Sequence, residues 1–154
     1  MERGIDLLKN QIGKKLQFGK IQSFYLNDEL IDQTNVLYLK FDTLLQITTS
    51  DETKILKVIN GIPEQIQGWT DKQGVKFEYP IIDFLKSNKK LQEVIGKKLI
   101  SFSELETKKY GGICCGLKLD FEEGLTLIIY SNSEELSFLN TNGSIPNDLK
   151  EKTL

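Results

Sequence analysis

Ile12-Gly13-Lys14-Lys15-Leu16 is met again further along the chain as Ile95-Gly96-Lys97-Lys98-Leu99. This pair decides the reading of the fold, because other blocks line up on both sides of it in the same order. Upstream, Ile5-Asp6-Leu7-Leu8-Lys9 matches Ile82-Asp83-Phe84-Leu85-Lys86. Downstream, Leu37, Leu39 and Phe41 match Leu117, Leu119 and Phe121, and Leu45 and Ile47 match Leu127 and Ile129. Asn60-Gly61-Ile62-Pro63 returns as Asn142-Gly143-Ser144-Ile145-Pro146. The offset drifts only from about 77 to 83. Five matched blocks in one order argue for an internal duplication. The competing account is coincidence in a chain rich in Lys, Ile and Leu.

Each copy reads as a helix followed by strands. In the second copy, Ile81, Ile82, Leu85, Leu91 and Val94 fall near helical spacing, with Pro80 placed for a first turn. The first helix is shorter, over Arg3–Gln11, and Gly13 and Gly96 are placed as C-terminal caps. A strand then covers part of residues 16–26. Val36–Phe41 and Leu117–Phe121 alternate strictly, with Leu37, Leu39, Phe41 and Leu117, Leu119, Phe121 on one face. Glu122-Glu123-Gly124 turns the chain into Leu125–Tyr130, and Asp42-Thr43 does the same in the first copy. Lys54–Ile59 and Leu136–Leu139 are candidates for a fourth strand. Consecutive strands with short turns favour an antiparallel meander. The expected fold is α+β: an internally duplicated helix-plus-meander unit, two copies packed with pseudo-two-fold symmetry in one compact domain. The expected divisions are residues 1–64 for the first copy, 65–80 for a connector, 81–148 for the second copy and 149–154 for a tail.

The chain has 154 residues and a mass of 17.6 kDa, which suits one domain. A chain of this length needs no disulfide or metal staple. Its 39% hydrophobic content is too high for disorder. Twenty basic and 22 acidic residues leave a net charge of −2, which argues against a nucleic-acid partner. The charges are balanced between the halves. Histidine is absent, which removes the commonest general base and metal ligand. No apolar run approaches the ~20 residues of a membrane span, and the first residues do not read as a secretory leader. The adjacent Cys114 and Cys115 read as reduced, small hydrophobes. A cytoplasmic, non-enzymatic protein without cofactor or metal is therefore expected.

Carboxylates, lysines, hydroxyls and two thiols are the available chemistry. Asp51-Glu52 and Glu134-Glu135 read as solvated turns, and the lysines of the repeated block as a solvated helix exit. More informative are the pieces that differ between copies. Residues 25–32 contain Tyr25, Asp28, Glu29 and Asp32, and the counterpart, residues 104–112, ends in Tyr110-Gly111-Gly112. The connector holds the only tryptophan, Trp69, between Gly68 and Asp71, with Gly74 beyond. That composition suggests an exposed loop or hairpin. Tyr25, Asp28, Glu29, Asp32, Trp69, Asp71 and Tyr110 are the expected partner-binding residues. The alternative for Trp69 is a plug in the seam between copies.

The segments Ile95–Leu99 and Gly116–Tyr130 resemble the helix-to-strand passage and G-x-x-L-x-F-x-D/E-G-x-x-L-x-I hairpin of small bacterial proteins. Many of those are similar to immunity proteins of polymorphic or contact-dependent toxin systems. The resemblance implies a protein that neutralises a toxin effector domain by direct binding. Monomer and homodimer both stay open, and the charge balance and short apolar runs lead to the expectation of no nucleic-acid and no membrane partner. The chain lacks the strong acidity common among inhibitors of nucleic-acid-cutting toxins, and no site residue is carried over. A second expectation is a small-molecule or regulatory domain with a ligand cleft between the copies.

Overall fold

A computed structural model describes residues 4–62, 66–109, 112–132 and 136–152. In the first part of the chain, α1 (Ile5–Lys9) leads into β1 (Phe18–Leu26), β2 (Glu29–Lys40), β3 (Leu44–Thr48) and β4 (Lys54–Lys57). Next come β5 (Ile66–Thr70), β6 (Lys76–Tyr79) and β7 (Ile81–Asp83). The second part has α2 (Lys89–Glu93), β8 (Leu99–Thr107), β9 (Cys114–Phe121), β10 (Thr126–Ser131), β11 (Ser137–Asn140) and β12 (Leu149–Lys152). One sheet runs β4-β3-β2-β1-β6-β5, with β7 also on β1. The other runs β11-β10-β9-β8-β12, and all pairings are antiparallel.

Two packed antiparallel sheets with few helical residues (12% helix against 53% strand) are more sheet-rich than the α+β expectation. The difference is largest before α2. Ile81 and Ile82 are β-branched, suit a strand, and pair with Gln22 and Ile21 of β1. The Asp83 carboxylate then accepts from Leu85 N at 2.9 Å and starts a single 3-10 turn, Phe84–Lys86. The Asn88 side chain accepts from Leu91 N at 3.1 Å and starts α2. Two side-chain caps five residues apart divide a stretch whose apolar spacing alone reads as one helix.

The strands follow the alternation. Leu37, Leu39, Phe41, Leu45 and Ile47 of the first sheet meet Leu117, Leu119, Phe121, Leu127 and Ile129 of the second in one core. Phe41 and Phe121 stack across it with ring centroids 6.4 Å apart. Leu8 of α1 and Leu91 and Val94 at α2 close its ends. The outer faces are covered too. Ile62 packs on Val36, Tyr38 and Leu44 of the first sheet, and Ile145 on Leu105, Cys115 and Ile128 of the second. Both isoleucines belong to the repeated Asn-Gly blocks, and Gly61 and Gly143 take the positive φ that the preceding turn requires.

The repeated Ile-Gly-Lys-Lys-Leu blocks pair with each other. Gly13 N donates to Leu99 O at 2.8 Å, and Gly96 N to Leu16 O at 2.7 Å. Leu16 N donates to Lys97 O at 2.9 Å, and Leu99 N to Lys14 O at 3.0 Å. Lys15 and Lys98 face each other across this bridge. Residues 149–152, expected as a tail, form β12 along the outer edge of β8.

Candidate functional site

The connector and the far end of the first hairpin combine into an arm of the first sheet. Asn27 and Asp28 both have positive φ, which makes a two-residue turn whose twist matches the flanking strands β1 and β2. Asn27 N donates to Lys76 O at 2.8 Å, and Lys76 N donates to the Asn27 side chain at 2.9 Å. β6 is thereby laced to the tip, with Tyr25 opposite Glu78 and Leu26 opposite Phe77. The Lys76 ammonium meets Asp28 at 2.7 Å and Glu78 at 3.1 Å. The hydrogen bond that this ammonium donates to Asp28 is the main reason the Lys76 pKa is raised above the usual lysine value. At the other end, Asp71 shapes the β5–β6 turn. Its carboxylate accepts from Gln73 N and Val75 N, both at 2.9 Å, and Gly74 supplies the positive φ.

Four aromatic rings stand on this arm. Trp69 stacks on Phe77 and Tyr79 with centroids 5.1 and 5.6 Å away. Phe24 stacks on the same two rings from the other side, at 6.5 and 5.0 Å. The four planes lie within 13–19° of parallel in these contacts. Trp69 keeps 47% of its surface exposed and has no part in the inter-sheet core. The seam-plug alternative is therefore set aside.

Of the expected contact residues, Tyr25, Asp28, Glu29, Trp69 and Asp71 are brought together on this arm. Glu29 is exposed, and among the described residues it forms no ion pair. Asp28 and Asp71 are engaged by groups of the arm itself, Asp28 by Lys76 and Asp71 by the amides of its own turn. Tyr110 lies outside the described residues. Asp32 is a correction: it is only 6% exposed and cannot meet a partner directly. Its Oδ1 accepts from Thr34 N at 3.2 Å and from Ser137 N at 3.0 Å, joining β2 to β11. Burial pushes its pKa up, against the lowering effect of the two amides. Beside it Thr49 donates to the Ser137 hydroxyl at 2.9 Å, and both are fully buried. Phe24, Phe77 and Tyr79 were missed from sequence. The signal is Val75-Lys76-Phe77-Glu78-Tyr79, an alternating strand directly after a glycine turn.

The remaining chemistry is sparse. Both cysteines are buried thiols outside any disulfide, and burial pushes the Cys115 thiol up to about 11. Among the described residues no group of three or more His, Cys, Asp or Glu is placed to hold a metal ion. No described helix is long and apolar enough to cross a membrane. Where the repeated blocks meet, the segments pair directly. A groove of about 700 Å³ lies to one side, between α1, β4 and the β8–β12 edge, with Ile5, Leu56, Lys57, Glu104 and Lys152 among its lining. Comparison with protein-family models, curated proteins and solved structures finds no match.

Proposed function

We propose that this is a non-enzymatic, cytoplasmic binding protein of the immunity type, which neutralises a bacterial toxin domain by covering it with the aromatic arm. The observation that carries the reading is the half-exposed Trp69, stacked on Phe77 and Tyr79 and held on a braced hairpin. A rigid, pre-ordered aromatic anchor loses little entropy on binding and is the usual centre of an interface. The scaffold that goes with it is an internally duplicated unit with approximate two-fold symmetry. It is supported by the ordered sequence blocks and by the reciprocal hydrogen bonds of the paired Ile-Gly-Lys-Lys-Leu segments. The test is to seek a toxin effector domain encoded beside this chain and to compare Trp69→Ala with the parent for binding to it. The variant folds, because Trp69 lies outside the core, and binding weakens by at least roughly tenfold. Unchanged affinity, or failure to fold, refutes the reading.

A second reading, a small-molecule domain, is favoured by the groove at α1 and β4, which draws walls from both halves of the chain. Buried Glu104 and the Lys152 ammonium, 3.9 Å apart, supply its polar end. Thermal stabilisation by a metabolite set, abolished by Leu56→Glu, is its test; the absence of any stabilising compound counts against it.

A further inference from the structure

We infer that the partner adds an extended segment alongside β5, and that this segment places a basic side chain over Trp69. The inference rests on the arm-binding reading and specifies how the arm is used.

Exposed sheet edges invite other strands, and proteins guard them with charges, prolines or covering elements. β4 has a lysine at each end of Lys54-Ile55-Leu56-Lys57. β12 carries Lys150, Glu151 and Lys152 in four residues. β11 is uncharged, but its Ser137 N–H is bonded to Asp32 of β2, so that edge is docked. β5, Ile66-Gln67-Gly68-Trp69-Thr70, ends its sheet with no charge and no proline. Its register slips by one residue between Ile66 and Trp69. Such a bulge re-aims a side chain, here the indole. At Gly68 a Cβ would lie 2.7 Å from Glu78 Cγ and 2.8 Å from Phe77 O, so glycine lets the edge strand press against β6 there.

The pairing also fixes what would face a newcomer. Glu29 is opposite Leu26, Leu26 opposite Phe77, and Phe77 opposite Trp69. These four form one cross-strand row on one face of the arm. A strand beyond β5 extends the row, with its next residue directly beside the indole. The row holds an aromatic face at that end and at the other the exposed carboxylate of Glu29, which has no ion pair among the described residues. Residues 25–30 and 66–79 together carry four carboxylates and two lysines. An arginine is the side chain that stacks on an indole and is favoured by a net negative surround.

The probe is the peptide acetyl-Val-Arg-Val-Arg-Val-amide, with its Glu-for-Arg analogue as the control, titrated into the full chain. Trp69 is the only tryptophan, so its fluorescence reports directly on the site. Saturable binding of the Arg peptide is expected, at least tenfold tighter than the Glu peptide, with slowed amide exchange in residues 66–70. Calorimetry should show about tenfold weakening in Trp69→Leu. Equal affinity for the two peptides, no saturable binding, or binding without protection of residues 66–70 overturns the inference. The same exchange measurement on the toxin-domain complex separates the two proposals. A complex sensitive to Trp69→Leu that leaves residues 66–70 unprotected overturns strand addition alone. A complex indifferent to Trp69→Leu overturns the arm-binding reading itself.

Discussion

Replacing Asp32 by Ala should cost more stability than its surface-like sequence context suggests. The residue is almost fully buried, and one carboxylate oxygen accepts from both Thr34 N and Ser137 N. Alanine leaves two buried amides without acceptors, at about 1–3 kcal/mol each before water or relaxation recovers part. The carboxylate's own desolvation offsets some of its contribution, since burial outweighs the amides in its pKa. A net loss of about 3 kcal/mol is expected, equivalent to roughly 6–12 °C in Tm for a domain of this size. Asp32→Asn separates hydrogen bonding from charge, because Asn Oδ1 accepts the same two amides. It should lie within about 1 kcal/mol of the parent at pH 7. The pH dependence has a definite sign. The folded-state pKa is raised above the ordinary 3.8, so between 3.8 and that raised value the folded protein binds more protons than the unfolded chain. The contribution of Asp32 to stability therefore falls as pH rises through this window and is constant above it. Urea denaturation of parent and Asn variant across that window measures the difference, with the other carboxylates cancelling. An Ala variant within about 0.5 kcal/mol of the parent refutes the β2–β11 clamp. A parent that gains on Asp32→Asn as pH rises refutes the dominance of burial.

Three further outcomes can be checked with the same protein. Gly116→Ala places a Cβ 2.5 Å from Ile129 O and 2.9 Å from Tyr130 Cα, which are backbone atoms that cannot rotate aside. It should lower stability in urea by about 2–3 kcal/mol, and an unchanged midpoint would contradict the close β9–β10 approach. Cys115, with its thiol pushed up to about 11 by burial, should be almost wholly protonated at pH 8 and resist thiol reagents until the chain unfolds. Rapid labelling of native protein would show an accessible thiolate. Lys15→Glu should stabilise by about 0.2–1 kcal/mol, since Lys15 and Lys98 are like charges directly across a bridge. The gain should shrink in high salt.

The central strands were legible because they declare themselves twice, by alternation and by the turn that follows. Val36–Phe41 and Leu117–Phe121 bury alternate residues in the core, and the predicted turns at Asp42-Thr43 and Glu122–Gly124 connect them onward. Of the β5–β6 hairpin only the turn was legible, as an exposed loop or hairpin: Asp71 and Gly74 supply the turn chemistry that the structure uses. Residues 81–94 were not, because apolar spacing ignores competition from Asp83 and Asn88 for the backbone amides. Asp32 was illegible for a more general reason. Nothing local distinguishes a carboxylate facing water from one facing an amide of a strand 105 positions away. The halves also diverge at a definite place. Both first strands, β1 and β8, need their outer edges paired. β8 takes the short charged β12, whereas β1 takes β7 and β6, and β6 brings β5 and the aromatic rings with it. The same structural need met by two different segments leaves one sheet with a guarded edge and the other with an unguarded, ring-bearing one. That asymmetry distinguishes the two sheets, and it is why the proposed partner surface is placed at Trp69.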